Sequence, residues 1–115
     1  MLVRIVRMTF RAEAVETFLE QFDASAPRIR AFPGCHHLEL WRDADSPAVC
    51  TTYSHWEHQE ALDRYRHSDL FRSTWSRVKP LFADRPVAHS YTVARAESDI
   101  SGPSFDSSGN EASLR

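Results

Sequence analysis

The sequence predicts an α+β fold: one four-stranded antiparallel sheet with two helical regions on the same face. Three observations predict it. Residues 2–10, LVRIVRMTF, are rich in Val and Ile and apolar at both parities except at Arg4 and Arg7. Residues 35–42 and 48–56 alternate in character and are joined by the turn-forming run Asp43-Ala44-Asp45-Ser46-Pro47. Before and after this pair, two segments carry apolar residues at helical spacing.

A first strand that is apolar on both sides suits the centre of a sheet covered on two faces. Residues 13–31 then set Val15, Phe18, Leu19, Phe22, Ala26 and Ile29 on one stripe of a helix. Pro27 lacks an amide hydrogen and its ring crowds the preceding turn, so a kink or a restart near Ser25 is expected. Phe32-Pro33-Gly34 stops the helix. In the hairpin, Leu38, Leu40 and Arg42 share one side, and His37, Glu39 and Trp41 the other. On its second strand, Val49, Thr51, Tyr53 and His55 oppose Cys50, Thr52, Ser54 and Trp56. Helical spacing returns from residue 58 with Ala61, Leu62 and Tyr65. It breaks at His67-Ser68-Asp69, where Ser68 is a good N-cap. Phe71, Trp75, Val78 and Phe82 follow at spacings 4, 3, 4, and Pro80 ends the regular helix. Residues 86–95 form the last strand, with Val87, His89, Tyr91 and Val93 on one side.

The order β-α-β-β-α-β is the ferredoxin-like arrangement. Its helix-free sheet face carries apolar and aromatic residues, and a patch of that kind left in water invites association. A homodimer packed sheet to sheet is therefore expected. The folded domain is expected over residues 1–95. Residues 96–115 are rich in Ser, Gly and Asp, show no periodicity, and read as a flexible tail.

Composition narrows the function classes. A net charge of −2 offers no basic surface for nucleic acid. No apolar run approaches the ~20 residues of a membrane span, and Arg4 and Arg7 interrupt the start, so a cytoplasmic location is the default expectation. Cys35 and Cys50 fall out of register in the hairpin and read as reduced structural thiols. Three glycines, at 34, 102 and 109, leave no room for a Gly-rich phosphate loop. The six histidines show no HxxxH or HExxH spacing, so no metal site is expected. Arg4 and Arg7 read as ion-pairing residues at a strand end in preference to anion binders.

Five segments, VRIVRMTF, IRAFPGC, LEL-R-D, YSHWEHQEAL and YRHSDLFRSTWSRVKPLF, occur in this order over residues 1–95. Together they resemble the antibiotic biosynthesis monooxygenase family. The elements W-E-x-x-E-A-L and H-S-x-x-F are its best markers here. The resemblance implies a dimeric α+β barrel with a pocket in each subunit between sheet and helices. It also implies a cofactor-independent monooxygenase that oxidises a small aromatic phenol or quinol with O₂. A non-catalytic dimeric domain that binds a small molecule or serves in a stress response is the alternative on the same scaffold.

The haem-degrading branch of the family needs a histidine ligand where this chain has Trp75, a tryptophan where it has Tyr65, and an asparagine where it has Val6. An indole N–H cannot ligate iron, so these residues argue against haem degradation. For phenol oxidation, a base titrating near neutral pH is needed, and His67 is the leading candidate, as base or substrate donor. Tyr65 is the second catalytic candidate, as a donor to a substrate oxygen. Trp75, Trp56, His55 and Phe71 are expected to line the pocket. Regular alternation allows only one of His55 and Trp56 to face the helices.

Overall fold

The computed structural model of the protein describes residues 1–97. Four strands, β1 (Leu2–Thr9), β2 (Cys35–Arg42), β3 (Val49–Trp56) and β4 (Val87–Thr92), form one sheet in the order β2-β3-β1-β4. All three strand pairs are antiparallel. β1 is central, as its two-sided apolar character predicts. The helices are α1 (Val15–Arg30), α2 (Gln59–Arg66) and α3 (Asp69–Val78). This is the expected ferredoxin-like α+β arrangement. Most of the expected tail, from residue 98 onward, lies outside the described residues.

Two expectations about α1 change. The helix runs unbroken through Pro27, with no restart at Ser25. Ser25 is buried and its hydroxyl donates to the Gln21 carbonyl at 2.9 Å, so it closes on the turn before it instead of capping a new helix. The inward stripe is accordingly Phe18, Phe22, Ser25 and Ile29, with Ser25 more deeply buried than Ala26.

The turn from α1 into β2 depends on Gly34. Its φ is +92°, and a Cβ built there would sit 2.4 Å from the Ala61 Cβ on α2. The Gly34 carbonyl also accepts the Glu57 amide at 2.8 Å. Glycine is required here both for the left-handed backbone and for the close approach. Farther along, the break between α2 and α3 is capped as the sequence predicts: Ser68 Oγ accepts the Phe71 amide at 3.1 Å.

Even-numbered residues of β1 and β3 face the helices, and odd-numbered ones face away. Two core clusters form under the helices. One gathers Met8, Phe10, Val15, Phe18, Cys50 and Val78; the other gathers Cys35, Trp56, Ala61 and Leu62. The opposite sheet face carries Trp41 stacked on Tyr53 at 4.8 Å, with His37, His55 and Glu39 around them. Val87 and Tyr91 on the same face are about half exposed. Cys35 and Cys50 are both free and buried. Burial pushes both thiols above their usual pKa.

Candidate active site

Between the two core clusters lies a cavity of about 360 Å³. Its floor is the helix-facing side of the sheet, where Val6 sits between Thr52 on β3 and Ala88 on β4. Its walls come from α1 (Phe18, Phe22, Ile29) and from α2 and α3 (Tyr65, Phe71, Trp75). The size is at the lower end of small-molecule pockets, about 300–1,000 Å³.

The cavity is polarised along β1. Met8, Phe18 and Val78 line one end; Arg4, Ser54, Trp56, Tyr65 and Arg66 belong to the other. Four residues along a strand separate Arg4 from Met8, or roughly 13 Å at the usual rise. Trp56 is almost fully buried, and its indole N–H donates to Ser54 Oγ at 3.0 Å. Tyr65 stacks on Trp56 and meets Phe32 and Phe71 edge-on. Burial, with a smaller contribution from Cys35, pushes the Tyr65 pKa up to about 12. Tyr65 therefore keeps its proton at neutral pH, and its hydroxyl retains a hydrogen to donate. Trp75 lies nearly parallel to Phe71, with centroids 5.9 Å apart, and extends the aromatic wall.

Among the described residues, Arg4 and Arg66 supply the only formal charges of the lining. The Arg4 guanidinium donates to Ser90 Oγ at 3.0 Å. Burial first, and the charge of Arg66 second, pull its pKa below the usual arginine value. Among the described residues neither arginine forms an ion pair. This corrects the reading of Arg4 and Arg7 as ion-pairing residues: Arg4 faces the cavity, and Arg7 is exposed on the opposite face.

The structure brings together four of the six residues singled out from the sequence. Tyr65, Trp75, Trp56 and Phe71 all line the cavity. His67 and His55 do not. His67 caps the C-terminus of α2, is exposed, and places Nδ1 2.8 Å from the Asp63 carbonyl. The turn that ends α2 carries its side chain away from the sheet. His55 lies on the far face of β3, with Nε2 2.6 Å from the Tyr53 hydroxyl. The alternation of β3 gives the inner side to Trp56.

Two further lining residues, Arg66 and Thr74, are not among the candidates that the sequence offers. Arg66 stands one turn beyond Leu62 on α2, a helical-spacing signal that was available. Thr74 Oγ1 is buried against the cavity without a hydrogen-bond partner among the described residues. Buried hydroxyls are rarely left unpaired, so this atom is available to a ligand.

The family profile of the antibiotic biosynthesis monooxygenases matches residues 1–75. No curated protein matches the chain significantly. Among solved structures, a candidate antibiotic biosynthesis monooxygenase from Deinococcus radiodurans superimposes with a TM-score of 0.78 at 16% identity, covering 86% of this chain and 98% of that one. One from Nitrosomonas europaea gives 0.77 at 17% identity, over 83% of this chain and 100% of its own. A protein from Mycobacterium tuberculosis gives 0.77 at 22% identity, over 84% and 98%. At these identities the structural likeness shows a shared fold. The profile match covers well over half of the sequence, and the chain belongs to the antibiotic biosynthesis monooxygenase family.

Proposed function

We propose that this chain is a quinol monooxygenase-like enzyme that oxidises a small aromatic phenol or quinol with O₂, without a resident cofactor. The observation that carries the reading is the cavity itself: an aromatic-walled space whose charges, among the described residues, are all positive. An electron-rich phenolate can pass one electron to O₂ directly. Recombination forms a ring hydroperoxide, and loss of water leaves a new ring carbonyl. One oxygen atom stays in the product, the other leaves as water, and the substrate supplies all four electrons. What the protein must provide is orientation, a low-dielectric surround and stabilisation of the oxyanion.

Each requirement maps onto the lining. Trp75 and Phe71 hold the ring by stacking. Tyr65 donates its hydroxyl hydrogen to the substrate oxygen. Arg4 and Arg66 raise the potential at that end, which favours the phenolate over the phenol. His67, being outside the lining, takes no part.

Oligomeric state belongs to the same proposal. Two copies pack through the open sheet face, which removes Trp41, Tyr53, Val87 and Tyr91 from water. Among the described residues no helix is long and apolar enough to cross a membrane.

The test is oxygen uptake with a panel of quinols and hydroxylated anthrones, each with and without an acidic substituent. The native chain is expected to consume O₂ with at least one member. Tyr65→Phe, which keeps the stacking and loses the donor, is expected to be slower by at least about tenfold, the effect of removing one such hydrogen bond. No uptake with any member overturns the proposal.

A further inference from the structure

The charge and proton inventory of the cavity says more than that an aromatic enters it. Among the described residues, no aspartate, glutamate or histidine lines it. Tyr65 holds its proton well above neutral pH, and arginine does not release one in proteins. A ligand that had to lose a proton after entering would find no acceptor among these side chains.

The same end of the cavity is short of negative charge. Arg4 and Arg66 both line it, and among the described residues no carboxylate stands within ion-pair distance of either. Two like charges in a partly desolvated site repel each other, and an anion between them removes the repulsion. Ser90 anchors Arg4 at 3.0 Å, so one guanidinium is already oriented. Elsewhere in the lining, Thr74 adds a buried hydroxyl with no hydrogen-bond partner among the described residues.

From this inventory we infer that the natural substrate enters as an anion: an aromatic compound with an acidic group already ionised at neutral pH, a ring carboxylate or an acidic enolic hydroxyl. Its charge lies between Arg4 and Arg66, and its rings point along β1 toward Trp75 and Val78. The word substrate rests on the oxidation reading above; the anion site rests on the lining alone.

Calorimetric titration of the full chain tests it with two matched pairs. The carboxylate arm compares 2-naphthoate with 2-naphthamide. The enolic arm compares 2-hydroxy-1,4-naphthoquinone with 1,4-naphthoquinone. In at least one arm the acid is expected to bind at least about tenfold tighter than its neutral partner, the worth of a charge-assisted hydrogen bond. The arm that shows it identifies the acidic group. Arg66→Gln is expected to cut the preference by about fivefold or more, and Arg66→Lys to restore most of it. Arg66 is exposed and makes no side-chain hydrogen bond among the described residues, so its replacement leaves the fold intact even if Arg4→Gln does not. Equal binding of acid and neutral partner in both arms overturns the inference, as does a preference that survives Arg66→Gln unchanged. Oxygen uptake separates the two proposals. Uptake without a charge preference removes the anion site and leaves the oxidation. A charge preference without uptake on any substrate does the reverse.

Discussion

The indole of Trp56 stacks on the phenol of Tyr65, with ring centroids 5.1 Å apart and planes 24° from parallel. This pair ties the end of β3 to the last turn of α2 and closes the arginine end of the cavity. Trp56 is held from the sheet side by Ser54, and Tyr65 from the helix side by Phe32 and Phe71. The stacking is therefore part of the core and of the site at once.

That burial makes Tyr65 a pH-sensitive element at high pH. Its pKa is raised to about 12 in the folded chain, against about 10 when unfolded. Below pH 10 both states keep the proton and stability is unaffected. Between pH 10 and 12 the unfolded state loses its proton first, so stability falls. The loss approaches about 2 kcal/mol. Denaturant unfolding at pH 9 and pH 11.5 should show it, and Tyr65→Phe should lose less over the same interval.

Gly34→Ala should destabilise the fold by about 2–3 kcal/mol. The change forces a left-handed φ on alanine and drives its methyl into Ala61, and overpacking alone costs about 1–3 kcal/mol. Gly34→Ala combined with Ala61→Gly should recover the steric part and leave the backbone part. Thermal unfolding of Gly34→Ala, of Ala61→Gly alone, which carries only the cost of about 1 kcal/mol of a glycine inside α2, and of the double variant checks the partition.

The open sheet face makes a solution prediction. Light scattering at micromolar concentration should give about twice the 13.2 kDa chain mass. Ile5→Glu, at the middle of β1 between Tyr53 and His89, should shift the mass toward the monomer while the circular dichroism stays native. A monomeric native chain contradicts sheet-to-sheet pairing.

The buried thiols give a further check. Neither Cys35 nor Cys50 should react with a thiol reagent in the folded chain at pH 8, because burial keeps both protonated and covered. Both should react in denaturant.

Much of this architecture was legible because strands and helices write their periods into the sequence. β2 carries the expected bounds, β3 alternates as expected so that only one of His55 and Trp56 faces inward, and Ser68 caps α3. The site was legible only where a side chain sits inside such a period, as Tyr65, Phe71 and Trp75 do. His67 follows the last residue of α2, where the direction of a side chain is set by how the turn closes on Asp63, and no period encodes that. His55 was a matter of parity against Trp56, and the larger apolar ring takes the interior. Arg66 was hidden by its charge: it reads as a solvated helix residue until the sheet brings Arg4 to the same space. The unbroken α1 shows local context overriding a rule, since Ser25 bonds back to Gln21 two residues before Pro27.

The most direct measurement is oxygen uptake by the native chain beside Thr52→Trp, which places a large ring on the sheet floor of the cavity at a residue with no donor role in the proposal. The native chain is expected to consume O₂, and the variant, still folded by circular dichroism, to lose that activity by at least about a hundredfold. A folded Thr52→Trp chain that consumes O₂ at the native rate would contradict the claim that the chemistry takes place in this cavity.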